Sequence, residues 1–274
     1  MTFDPTTTAR FTAADASLWS WSDDAAGTHV GYIADAEEGA AMGLAFVRFG
    51  KGVSFDFTWP YDEFCVVTKG SLSVRTGGRL VTAREGELMT QPRGVPGSFE
   101  ITEDLEMVCV HHPTFAEAHG LTLREYRAMA DAGNPPDAPP SVPGEPRAGQ
   151  VFDPSTMQVF ALADVPEWTC VDERGGAVGY LADHAEGSPM GLAFSVFPRG
   201  GVYEFALPYD EVAAVTAGRF TVRSQEGSFT ARAGEMLYVP RDVSAVFEIA
   251  QDTVAVCVHH PTYQEATGTA PHRG

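Results

Sequence analysis

Lysine is almost missing from this chain of 274 residues: Lys51 and Lys69 are the only two. Against 18 basic residues, nearly all arginine, stand 37 acidic ones, for a formal net charge of −19. Such a surface repels a phosphate backbone or an anionic lipid headgroup, so neither nucleic acid nor a membrane is expected as a partner. No apolar run approaches the roughly 20 residues that cross a bilayer as a helix. The N-terminal stretch MTFDPTTTARFTAADASLWSW has neither the basic region nor the apolar core of a secretory leader. Cys65, Cys109, Cys170 and Cys257 form no CxxC pair, which argues against zinc knuckles and dithiol redox motifs. Reduced thiols in a cytoplasmic protein are the expectation.

What is present is the same domain written twice. GYIADAEEGAAMGLAF starts at Gly31 and GYLADHAEGSPMGLAF at Gly179, an offset of 148. The same offset carries PYDE at 60–63 onto PYDE at 208–211, and VCVHHPT at 108–114 onto VCVHHPT at 256–262. No gap is needed from residue 31 to residue 120, and about half of those positions are identical. Solenoid repeats run to roughly 20–50 residues, so a period this long is a domain duplication. The N-terminal arms match loosely as well, Phe3-Asp4-Pro5 against Phe152-Asp153-Pro154 and Trp19 against Trp168. The expected organisation is a first domain over 1–120, a helix and linker over 121–150, and a second domain over 151–274. The helix is signalled by the capping pair Thr122 and Glu125 and the spacing of Leu123, Tyr126 and Met129. Proline-rich, aperiodic sequence follows from Asn134 to Gly149.

Within each copy the pattern is β. Val53 to Phe57 alternates, Phe64 to Val67 is apolar and β-branched, and Ser71 to Arg75 alternates again. Glycines punctuate these runs at Gly52, Gly70, Gly77, Gly78, Gly86 and Gly94. Many short strands with turns at this spacing predict a sandwich or small barrel.

Two motifs then narrow the fold. Gly52, Glu63 and Gly70 fall at the spacing of the first cupin motif, and Gly200, Glu211 and Gly218 repeat it. Gly86 through Pro92-Arg93-Gly94, and Gly234 through Pro240-Arg241, resemble the second. The chain resembles the cupin superfamily over nearly its whole length, twice, and more closely its EutQ-like, ethanolamine-utilisation branch, through Trp59-Pro60-Tyr61-Asp62-Glu63 and Leu207-Pro208-Tyr209-Asp210-Glu211. The resemblance implies an all-β protein of two tandem cupin jelly-roll barrels. Duplication of a dimer would leave the pair with pseudo-twofold symmetry inside one chain; a homo-oligomer stays open.

The histidines of the first motif are replaced. Positions 56–59 read Asp, Phe, Thr, Trp, and 204–207 read Glu, Phe, Ala, Leu; the second-motif histidine position holds Gly97 and Ala245. One carboxylate without imidazoles is a poor site for Fe(II), Mn(II) or Zn(II), so no cofactor is expected. If Glu63 points inward, alternation puts Tyr61, Trp59 and Phe57 beside it, and Phe205, Leu207 and Tyr209 beside Glu211. An apolar, aromatic pocket ending in a carboxyl and a phenol suits a small molecule. Burial would raise the carboxyl's pKa toward general acid–base work. Glu63, Tyr61, Glu211 and Tyr209 are therefore the catalytic candidates for isomerase, lyase or cyclase chemistry. Phe57, Trp59, Phe205 and Leu207 are candidate substrate contacts, and Arg93 and Arg241, placed near the barrel mouth, are candidates for holding a ligand carboxylate or phosphate. Two other readings stay open. One is a non-catalytic metabolite-binding or regulatory protein. The other is a divalent-metal enzyme using His111, His112, His259 or His260 of the His-His-Pro repeats. Alternation sends the two histidines of each pair to opposite faces, and the terminal strand is expected to end near Gly52, too far to share an ion with Glu63.

Overall fold

A computed structural model describes residues 2–23, 26–131, 151–225 and 227–272. Most of the proline-rich linker expected before residue 150 lies outside the described residues. The helix ahead of it runs Leu123–Asp131, entered through Thr122, whose hydroxyl accepts from Glu125 N at 3.2 Å.

The chain forms two compact units, residues 1–3 with 13–160, and residues 4–12 with 161–274. In the first, a seven-stranded sheet runs in the order Gln158–Phe160, Leu88–Gln91, Asp62–Lys69, Leu105–His112, Gly43–Phe49, Thr28–Ala34, Leu18–Asp23. A second sheet has the order Ser54–Thr58, Pro96–Glu100, Ser71–Thr76, Arg79–Arg84. The apolar core draws on both sheets: Cys65, Val67 and Met107 from the larger, Leu72, Val74 and Phe99 from the smaller. Strand alternation explains the division of Asp62–Lys69, whose Glu63, Cys65 and Val67 share one face while Phe64 packs edge-on against Phe152, with ring centroids 6.4 Å apart.

The second unit repeats this with longer strands. Asp210–Ser224 and Ser244–His260 each run unbroken where the first unit has two strands. All nine strands of this unit therefore join in one hydrogen-bonded network. This is the all-β, duplicated cupin-like fold that the motifs imply. The closing glycine of the first motif has a steric reason. Gly70 and Gly218 have φ of 76°, and a Cβ at either would collide with the backbone carbonyl of Asp104 or Asp252.

Each arm ends in a matching strand. Ala9–Phe11 pairs antiparallel with Met236–Tyr238, and Gln158–Phe160 pairs antiparallel with Leu88–Thr90. Phe11 and Phe160 close the two edges, both almost fully buried.

Candidate functional site

In the first unit the face carrying Glu63 opens into a cavity of 410 Å³. Phe57, Trp59, Tyr61 and Glu63 all line it, so the sequence-predicted residues of this copy come together there. The turn at Pro60 separates Ser54–Thr58 from Asp62–Lys69 without turning Trp59 away. Trp59 is anchored: its indole N–H donates to Gln91 Oε1, and its ring lies 4.3 Å from that of Phe57 and 5.6 Å from that of Tyr61. In the second unit Phe205, Leu207, Tyr209 and Glu211 line a cavity of 220 Å³.

Glu63 is 5% exposed, and its carboxyl receives one hydrogen bond, from the Cys65 thiol at 3.4 Å. Removal from water disfavours the charged form, and burial pushes Glu63 up to about 7; the Cys65 thiol opposes this only partly. Glu211 is more open at its edges, yet its carboxyl is pushed up to about 7 for the same reason, with Cys257 as the opposing donor. Burial also raises the phenols Tyr61 and Tyr209, which therefore remain protonated donors.

The strand beside each glutamate brings more to it than the sequence predicted. The terminal strand places His111 directly opposite Glu63, and His259 directly opposite Glu211. The expectation that this strand ends near Gly52 is thus wrong. It takes the first motif as one strand, but the motif is two strands in two sheets, and the terminal strand runs antiparallel to the second. Each imidazole is fully buried and stacks on the adjacent phenol, His111 on Tyr61 and His259 on Tyr209, at 3.9 Å and 18° in both copies. Burial drives both histidines down to about 3, so they are neutral. His111 Nε2 meets the Tyr32 hydroxyl at 3.1 Å. A Cβ on Gly43 or Gly191 would fall inside these imidazole rings, which gives the Gly-Leu-Ala-Phe repeat its glycine. His112 and His260 turn to the other face and meet the carbonyls of Ala41 and Pro189.

Cys109, Gln91 and Tyr32 also line the first cavity, as do Phe115 and His119 from a first short helix, Phe115–His119, and Tyr126 from the second, Leu123–Asp131. Alternation offered a signal for one of them, Cys109, which stands two residues from His111. The helices had none. Asp35 fixes the first helix, its carboxylate accepting from Phe115 N at 2.7 Å and Ala116 N at 3.0 Å; Asp183 does the same for Tyr263 and Gln264.

Arg93 and Arg241 stand apart. Both are exposed and line neither cavity. Their backbone N–H groups donate to the Asp62 and Asp210 side chains at 3.1 and 2.9 Å, which fixes the turn.

Among the described residues one group of ligand-type side chains gathers closely enough for a common ion: Glu63, Cys65 and Cys109, with donor atoms within 4.8 Å of one another. The set does not fit the ion chemistry of cupins. It has two thiols and no imidazole, while Mn(II) favours oxygen donors. Ala213 in place of Cys65 removes the set from the second unit.

Comparison with protein-family models matches residues 21–117 and 177–265, one stretch in each copy, to the family described as ethanolamine utilisation protein EutQ. Two curated proteins, both called acetate kinase EutQ, are similar over 77 residues. That of Clostridioides difficile (strain 630) is 32% identical over 28% of this chain and 48% of its own length. That of Escherichia coli (strain K12) is 30% identical over 28% and 33%. The match thus spans half or less of either relative. Among solved structures, a mutant of the Bacillus subtilis oxalate decarboxylase OxdC superposes with a TM-score of 0.59 at 18% identity, covering 97% of this chain and 82% of that one. Another structure of that enzyme, from work on its Mn(II) centres, gives 0.57 at 18%, covering 93% and 76%. At that identity the likeness concerns the fold, a bicupin, alone.

Proposed function

The chain belongs to the EutQ family of ethanolamine utilisation proteins, and from that premise we propose that its cavities are metal-independent proton-transfer sites for a small, largely apolar ligand. The observation that carries this reading is the paired one: in both copies a carboxyl at the floor of an aromatic cavity has its pKa near 7. A group poised there both accepts and returns a proton at neutral pH. Glu63 or Glu211 takes a proton from carbon and becomes a neutral acid. The phenol of Tyr61 or Tyr209 donates a hydrogen bond to the ligand oxygen on which charge collects. The acid then returns its proton to a neighbouring carbon, an isomerisation, or to a departing group, an elimination or cyclisation.

The phosphoryl transfer named for the two curated relatives calls for cationic groups against phosphate oxygens. None of the described residues lining either cavity is a lysine or arginine, which favours proton transfer here. No helix among the described residues is long and apolar enough to cross a membrane. The four cysteines are unpaired, which suits a reducing cytoplasm.

The test is solvent exchange. Small ketones and aldehydes bearing acidic C–H bonds, incubated with the full chain in D2O, are expected to take up deuterium by NMR. Glu63→Gln and Glu211→Gln, made separately, are each expected to cut exchange in their own cavity by about 10²–10⁴-fold while ligand binding survives. Unchanged exchange in the double variant would remove the proposal.

A further inference from the structure

We infer that the first unit's cavity selects a small organic ammonium ion with an apolar body, held by the carboxyl group of Glu63 within an aromatic wall that includes Trp59. This rests on the reading of that cavity as the ligand site and adds the charge of the ligand.

Three observations carry it. The first is the sign of the cavity. Glu63 is the acidic side chain on the inward face, no lysine or arginine lines the cavity among the described residues, and burial holds His119 below the ordinary histidine range. An anion brought in would meet the Glu63 carboxylate in a poorly screening interior; a cation would favour the charged form of that carboxyl. The second is the wall. Trp59 carries the ring type that attracts cations most strongly, and its bond to Gln91 fixes the plane of the indole. Phe57 and Tyr61 flank it at 4.3 and 5.6 Å, and Phe49, Phe55 and Phe99 continue the aromatic surface. The third is the chain as a whole, whose net charge of −19 draws cations toward any cleft of the same sign.

The second unit argues for one such site per chain. Its cavity is about half as large, leucine stands where Trp59 stands in the first, and Glu211 is its only acidic lining residue.

Benzylammonium, benzyl alcohol and benzoate share one ring and differ in charge, and calorimetric titration of the full chain separates them. Benzylammonium is expected to bind at least tenfold more tightly than benzyl alcohol, with one site per chain, and benzoate more weakly than either. Glu63→Gln is expected to cut the ammonium affinity tenfold or more and to leave the alcohol within about twofold. Trp59→Leu, which installs the residue of the second copy, is expected to lower the ammonium-to-alcohol ratio and guards against misfolding of the first variant. Benzoate binding as tightly as benzylammonium, no benzylammonium binding at millimolar concentration, or a ratio untouched by both variants would overturn the inference. The two readings fail separately. Charge preference without deuterium exchange sinks proton transfer alone; exchange that depends on Glu63 without charge preference sinks the ammonium site alone.

Discussion

The two cavities have the same floor and different walls. Tyr61 and Glu63 recur as Tyr209 and Glu211, and Tyr32 and Cys109 as Tyr180 and Cys257; His259 lines the second cavity, while its counterpart His111 is buried against Tyr61 and does not line the first. The walls have drifted, with Trp59 becoming Leu207, Cys65 becoming Ala213 and Gln91 becoming Val239. Hydrogen bonding follows the drift. In the first unit Cys65 donates to Glu63, Cys109 donates to Cys65 at 3.3 Å, and Gln91 Nε2 donates to Cys65 at 2.9 Å. In the second the thiol bonded to the carboxyl is Cys257 from the neighbouring strand, itself 3.3 Å from Ser195 Oγ. His111 is held by the Tyr32 hydroxyl, whereas neither ring nitrogen of His259 has a hydrogen-bond partner among the described residues. A duplicated protein can keep one chemistry and vary what it admits; here the conserved part is the floor, and the variable part decides the ligand.

The sharpest way to break the equivalence of the floors is to titrate stability. In the unfolded chain the two glutamates release their protons near 4.5, and in the folded chain near 7. Between those values the folded state holds more protons, so the glutamates' own contribution to stability is greatest below 4.5, falls as pH rises to about 7, and levels off above it, while the buried neutral His111 and His259, held at about 3, contribute the opposite slope as pH rises to 6.5. Linkage sets the fall on the order of 3 kcal/mol for each carboxyl. Urea unfolding at pH 5 and pH 8, compared between the parent chain and each variant, isolates the glutamate share. Glu63→Gln and Glu211→Gln should each shift the pH 5-to-8 difference in stability by a similar amount; a difference left unchanged by both variants would mean that the carboxyls are hydrated.

Exchanging the walls comes next. Leu207→Trp forces an indole into the 220 Å³ cavity and is expected to cost about 1–3 kcal/mol by overpacking. Trp59→Leu should enlarge the first cavity without displacing the Glu63 carboxyl. If Leu207→Trp is neutral in urea unfolding, the second cavity is larger in solution than its walls imply.

The smallest effect concerns the thiols. Cys65→Ala leaves Cys109 nearby to take over as donor, as its counterpart Cys257 does in the second unit. The midpoint of Glu63, read from its side-chain carboxyl 13C shift, is expected to rise by less than one pH unit. Cys257→Ala leaves no second thiol and should raise Glu211 further. Equal shifts would show that the two donors are interchangeable.

Much of this was legible in the sequence because it depends on local pattern. The offset of 148 announced the duplication, and period-two alternation put Phe57, Trp59, Tyr61 and Glu63 on one wall. Register was not legible. Whether His111 faces Gly52 or Glu63 depends on where the chain changes sheet, and the turn at Pro60 does not say that the strands on its two sides part company. The arginines misled for a related reason: Pro-Arg marks a turn, but the turn is fixed by a bond from the Arg93 backbone to Asp62, 31 residues away, which the local sequence does not announce. Phe115, His119 and Tyr126 reach the cavity through a helix whose anchor, Asp35, lies 80 residues upstream of the backbone it holds.

The crossed arms bear on how this protein can be taken apart. Ala9–Phe11 completes the sheet of the second unit and Gln158–Phe160 that of the first. Scission in the proline-rich stretch would deprive each fragment of its own closing strand and bare the backbone of Leu88–Gln91 or Met236–Val239 as an adhesive border. The halves arose by copying, but their threading now makes them indivisible, so a crossover that separated them would yield two sticky remnants in place of two working domains.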